Sequence, residues 1–238
     1  MPDLRVLWAC IWRPKQGFES LAAGEPALLP SLGRLMLLRT PVAYLAWILG
    51  VLSFVQSYAA LKNLDGEAWR LALPLLTQAN PDLDLQVLRA FLAQLPALPR
   101  IPTLLAWGLV VAPVGVLGVW LHDAAWDHGC LWMLGGLKSR KGFRRTLVAE
   151  SEALSVGVFG ALAALLGQLP VLGWALGLPL MAVGAWFWVL RGWSLAAFHG
   201  IPPWKGVAAT LLHILLAGCC LAGLVAFMAI LVFMPVGS

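Results

Sequence analysis

From Val207 to Met234 the chain reads VAATLLHILLAGCCLAGLVAFMAILVFM, a stretch with no Asp, Glu, Lys or Arg. About 20 apolar residues in a helix cross the hydrocarbon of a bilayer, and only a helix or a closed barrel satisfies its own backbone there. This stretch therefore predicts a spanning helix, and the sequence before it holds four more: about 41–61, 102–121, 147–169 and 171–190. Pro41 and Pro102 stand at the entries of the first two, where a missing N–H costs nothing. The third and fourth are divided only by Gly167-Gln168-Leu169-Pro170, so a tight helical hairpin is expected. Composition agrees, since 61% of the 238 residues are hydrophobic and 11% charged, against about 45–50% and about 25% in soluble domains. The fold class expected is an all-α integral membrane protein with five transmembrane helices and interfacial amphipathic helices. Residues 1–40 would form an amphipathic segment and 41–234 one transmembrane domain.

Between the spans the sequence mixes apolar and polar groups. In 1–40, Arg5, Arg13, Lys15, Arg34 and Arg39 alternate with Trp8, Trp12, Phe18, Leu21 and Leu28, and Pro14, Pro26 and Pro30 interrupt them. Short helices lying on the membrane surface are expected. Residues 62–100 have the turn signal Asn80-Pro81-Asp82 between two apolar-periodic stretches, which predicts short interfacial or re-entrant helices in an external loop. Lys and Arg collect on the cytoplasmic side. Twelve fall in 1–40, 122–146 and 191–206, against four in 62–100 and none in 167–170 or beyond Lys205. That asymmetry puts the N-terminus in the cytoplasm and the C-terminus outside. Many of the 13 tryptophans, Trp47, Trp120 and Trp126 among them, stand at or near span ends, as interfacial anchors do. The pairs Ala46/Gly50, Gly108/Ala112 and Gly173/Gly177 have the small-xxx-small spacing that lets helices approach in lipid.

No G-x-S-x-G, HExxH or GxxxxGK[ST] string is present, and the four cysteines include no CxxC. The sequence therefore predicts no enzyme, no cofactor and no metal, and no basic, aromatic-laced stripe for nucleic acid. Two groups of residues still carry chemistry. Glu150 and Glu152 fall near the start of the third span and point roughly 200° apart on a helix, so they cannot form a dyad. Pairing with Lys141, Arg144 or Arg145 is their plain reading, and an ion, proton or lipid-headgroup role is the functional one. His122, Asp123, Asp127 and His128 are metal-capable types, but His128 is offset from the face that Asp123 and Asp127 share, and they read as polar caps of the second span. His213, alone inside the last span, is expected to hydrogen-bond a neighbouring helix.

Leu131-Trp132-Met133-Leu134-Gly135-Gly136, followed by Phe143-Arg144-Arg145-Thr146-Leu147, resembles the "LLGG … F+xT" signature of the Yip family of Ypt/Rab-interacting membrane proteins. The likeness continues through Ser151-Glu152-Ala153, Pro170-Val171-Leu172-Gly173 and His199-Gly200, and begins at Arg13-Pro14-Lys15-Gln16-Gly17-Phe18-Glu19-Ser20-Leu21-Ala22. Glu150 stands where the family commonly has Tyr, and Leu154 where Pro is frequent. About 40 residues precede the first span, which makes the likeness one to bacterial members. The resemblance implies five spans, a bacterial inner-membrane address, and a scaffold or accessory role with membrane lipids and a protein partner or second copy. Its motif residues here are Gly135, Gly136, Thr146, Pro170 and Gly173. The basic run Lys138, Arg140, Lys141, Arg144 and Arg145 would face anionic headgroups or an acidic partner. An alternative is a transporter or lipid-handling component using Glu150 and Glu152.

Overall fold

A computed structural model describes residues 4–24, 27–63, 84–137, 142–168 and 170–233, with 70, 73–75 and 78. Every long element among these is helical: α1 (Leu4–Trp12), α2 (Pro14–Ala23), α3 (Leu28–Asn63), α4 (Leu85–Ala93), α5 (Ile101–Met133), α6 (Phe143–Val156), α7 (Val158–Gly167), α8 (Pro170–His199) and α9 (Pro203–Phe233). Four stretches are long and apolar enough to cross a membrane: Leu28–Lys62, Ile101–Met133, Leu176–His199 and Pro203–Met228. The pair α6 and α7, bent by 47° at Gly157, would make a fifth if it is one span. The protein thus has the character of a multi-pass helical membrane protein.

Helices cover the stretches expected to span, but several overrun them. The first helix starts at Leu28, so Pro41 lies in its interior and not at its entry. The second continues to Met133, which puts Asp123 and Asp127 within the helix body where end caps were expected. The third is two helices, because the chain breaks at Gly157. Arg39 of α3 donates to the Gly157 carbonyl at 3.0 Å beside this break. In the 62–100 segment one short helix, α4, is described, with Asp84 as its N-cap accepting from the amide of Gln86 at 2.7 Å. Asn80-Pro81-Asp82 lies outside the described residues.

The chain divides into two compact units, residues 1–42 with 114–238, and residues 43–113. In the smaller unit, Trp47 donates to the Leu104 carbonyl at 2.9 Å and Lys62 to that of Leu95 at 3.2 Å. Trp47 and Tyr44 fill the space over Gly108, which explains a glycine there. Trp47 is thus a helix–helix donor where an interfacial anchor was expected.

In the larger unit α8 is the axis. The α6–α7 pair runs antiparallel to it: Thr146 meets His199, Ala149 meets Ser194, Glu150 meets Arg191, Gly160 meets Phe187 and Gly167 meets Leu180. α9 returns along α8, and the backbones close up where Gly192 meets Val207 and Gly206 meets the Gly192 carbonyl. α1 and α2 were expected on the lipid surface. Their apolar faces instead enter the protein core through Leu7, Cys10, Ile11, Phe18 and Leu21, while Trp8 and Trp12 face outward. Trp186 of α8 donates to the Ile11 carbonyl at 3.2 Å. Burial, helped by Glu152 nearby, pushes the Cys10 thiol up to about 12.

Candidate functional site

Two helices end here for the same reason. Gly135 (φ 65°) and Gly200 (φ 64°) adopt left-handed backbone after α5 and α8, where a side chain is strained. The Gly136 amide then reaches back to the Leu131 carbonyl at 2.7 Å, and that of Ile201 to Ala196 at 3.0 Å, closing both helices in Schellman fashion. Gly136 is packed against Leu131 and Ile201. Thr146, near the start of α6, sits between the two ends. Its hydroxyl is 2.8 Å from His128 Nδ1 and 3.0 Å from His199 Nε2. A hydroxyl can donate to one ring and accept from the other, so three helices are tied through one atom.

About 6 Å further along α6 and about 12 Å along α8, at roughly 1.5 Å per residue, lies the main charge cluster. Arg191 of α8 reaches three carboxylates. Its Nη1 is 3.0 Å from Asp123 Oδ2, its Nη2 is 2.8 Å from Asp127 Oδ2, and its Nε is 3.1 Å from Glu150 Oε2. The last contact is off the N–H direction, and the Glu150 carboxyl also lies against that of Asp127. Glu150 and Asp127 are fully buried. His213 of α9 completes the cluster, with Nδ1 2.7 Å from Asp127 Oδ1. The Trp126 ring stacks on His213 at 5.8 Å and the Trp188 ring meets its edge at 6.0 Å. Arg191 also lies 4.5 Å from the Trp188 ring, a cation–π contact.

Glu152 faces the other way, as its spacing from Glu150 requires. It accepts from Ser31 Oγ at 2.7 Å and pairs with Arg34, both on α3. The expected pairing of the two glutamates with Lys141, Arg144 or Arg145 is therefore corrected. Their partners come from helices distant in sequence, because both acids sit inside the bundle while Arg144 and Arg145 are exposed. Arg144 and Arg145 are exposed, and Arg145 donates to the Phe198 carbonyl at 3.4 Å. Lys138, Arg140 and Lys141 lie outside the described residues, as do the surroundings of Pro170 and Gly173. Asp123 and Asp127 share a face, as their spacing predicts, but His128 turns to Thr146 while His213 joins the aspartates from α9. Trp120, expected at an interface, is buried and donates to the Leu147 carbonyl at 2.9 Å.

A cleft of about 430 Å³ opens between α2 and the end of α8, lined by Lys15, Glu19, Trp193, Ala197, Gly200 and Ile201. None of the buried acids lines it. The role of Arg191 was not found from sequence. A lone arginine in the apolar run of a span was the available signal, since such a charge must be paired. Comparison with protein-family models, curated proteins and solved structures finds no match.

Proposed function

We propose that the chain is a non-enzymatic, Yip-like membrane protein of a bacterial inner membrane. It would act as a scaffold or accessory subunit that organises partner proteins or lipid. The observation that carries this reading is where the polar groups point. Among the described residues, the buried acids and cations of the larger unit answer one another across α3, α5, α6, α8 and α9. The outward faces are apolar, with Leu215, Leu221, Leu224 and Phe227 of α9 exposed. A polar lock of this kind sets the helix arrangement and leaves the surface for lipid or for another chain. The positions of the Yip-like motifs support the same reading. Gly135 and Gly200 end helices, and Thr146 ties His128 to His199, so these residues do structural work. The transporter alternative needs an acid on an open path, and Glu152 is instead buried against Arg34 and Ser31.

Five spans are part of the proposal, with the N-terminus cytoplasmic and the C-terminus outside. Purification in mild detergent, with crosslinking and mass spectrometry of co-eluting protein and lipid, tests the role. A stoichiometric partner or a homo-oligomer is expected. A solitary monomer after crosslinking overturns the scaffold reading, and specific anionic lipid on that monomer would move the function to lipid handling.

A further inference from the structure

We propose that His122, Asp123 and His213 bind one divalent transition-metal ion of the zinc class. One ligand atom from each lies within 4.8 Å of the others. That is a span which small side-chain adjustments close onto an ion with ligand bonds of about 2.0–2.2 Å. The two buried ligands are already held in place. Asp123 gives Oδ2 to Arg191 at 3.0 Å and turns Oδ1 toward His122 Nδ1 at 3.2 Å. His213 is held through Nδ1 by Asp127, and Asp127 is held by Arg191. Metal-binding histidines are commonly oriented in this way, by a carboxylate on the ring nitrogen that does not bind the ion. The stacked Trp126 and edge-on Trp188 hold the ring plane. His122 is about half exposed, which gives the ion a way in and leaves a coordination position for water or an exchanging ligand.

The ligand chemistry points to the class of ion. Three carboxyl groups, Asp123, Asp127 and Glu150, gather round the single guanidinium of Arg191, and Asp123 is the one that also turns to the two imidazoles. Two imidazoles and a carboxylate suit zinc, cobalt, nickel or copper, whereas magnesium and calcium favour all-oxygen sets. No sequence spacing shows this, because His213 lies far from His122 in the chain. The inference does not depend on the scaffold role.

The test uses the full-length chain purified in detergent without a histidine tag, stripped by chelator, then dialysed against Zn(II) and titrated with Co(II). One ion per chain is expected, with visible Co(II) bands of a nitrogen–oxygen site. His122→Ala removes a half-exposed ligand and leaves the buried lock in place, so it should fold and weaken binding by about tenfold or more. His128→Ala, on the separate Thr146 cluster, should bind as the parent does. Asp123→Asn should weaken binding as His122→Ala does. No saturable uptake by the stripped protein overturns the proposal. Uptake undiminished in both His122→Ala and Asp123→Asn overturns it too, since the ion then sits elsewhere.

Discussion

The pair between Arg34 and Glu152 shows how a single residue's worth depends on what is left behind. Glu152 is fully buried, Arg34 is partly buried, and Ser31 is the other donor to the carboxylate. Removing one member strands the other's charge, whereas replacing both with apolar groups of similar size removes the desolvation cost as well. Arg34→Ala should therefore destabilise the protein by about 3–5 kcal/mol, and the double change Arg34→Met with Glu152→Leu should cost much less. Thermal unfolding of the single and double variants in one detergent measures this. Equal losses in both would mean that the pair itself, and not its imbalance, stabilises the fold. Cys10 sits close by and carries a second prediction. Its thiol, pushed up to about 12, stays protonated far above the ordinary range near 9. Only the thiolate reacts with alkylating agents. Iodoacetamide should leave Cys10 unmodified from pH 7 to about pH 10 in the folded protein and label it after denaturation in SDS. Labelling that climbs through pH 9 in the folded protein would contradict this. The acids themselves were visible in the sequence, and so was their divergence, because helical spacing alone turns Glu150 and Glu152 to opposite faces. Their partners were not, since Arg34 and Arg191 become neighbours only when distant helices pack. Two cations counted as loop charge, Arg34 and Arg191, are in fact counter-ions inside the bundle.

At the scale of elements, small residues show the same division. Spacing singled out Gly108, and Trp47 and Tyr44 do occupy its space. Gly50 and Gly177, chosen by the same rule, have open space around them. The tightest approach lies elsewhere, where Gly192 and Gly206 bring α8 and α9 almost into backbone contact. A spacing rule finds small faces but not which face meets a partner, because that depends on helix rotation about its own axis. The two classes should respond oppositely to alanine. At Gly206 a methyl group runs into the Gly192 carbonyl, and overpacking of this kind costs about 1–3 kcal/mol. At Gly218, with nothing nearby, alanine gains about 0.5–1 kcal/mol in helix propensity. Unfolding of Gly206→Ala and Gly218→Ala should shift in opposite directions. A shared sign would mean that α9 does not pack on α8 through Gly206. The helix ends that overran their expected limits have a related cause. Hydropathy marks where apolar residues stop, whereas α5 continues past residue 121 because Asp123 and Asp127 find Arg191 and stay inside.

For the whole molecule, the number of crossings turns on α6 and α7. A helix pair bent by 47° can be a broken span or a re-entrant loop that leaves on the side it entered. The contacts along α8 favour the first geometry. α6 begins beside His199, at one end of α8, and α7 finishes beside Leu180, toward the other end, where the short turn into Pro170 follows. A re-entrant loop would return to the His199 end, and this pair does not. If α8 crosses the bilayer, α6 and α7 together cross it in the opposite direction, which is the arrangement the proposed five spans need. An odd count puts the two termini on opposite sides. In the proposed topology the N-terminal side is cytoplasmic, on the excess of Lys and Arg in 1–40, 122–146 and 191–206. The loss of Arg34, Arg39 and Arg191 to interior contacts lowers that count without reversing it. A green fluorescent protein fused after Ser238 should therefore be dark in a bacterial host, and alkaline phosphatase fused there should be active. The same reporters placed before Met1 should give the reverse pattern. A fluorescent C-terminal fusion together with a fluorescent N-terminal one would mean four crossings, with the Gly157 break turning the chain back.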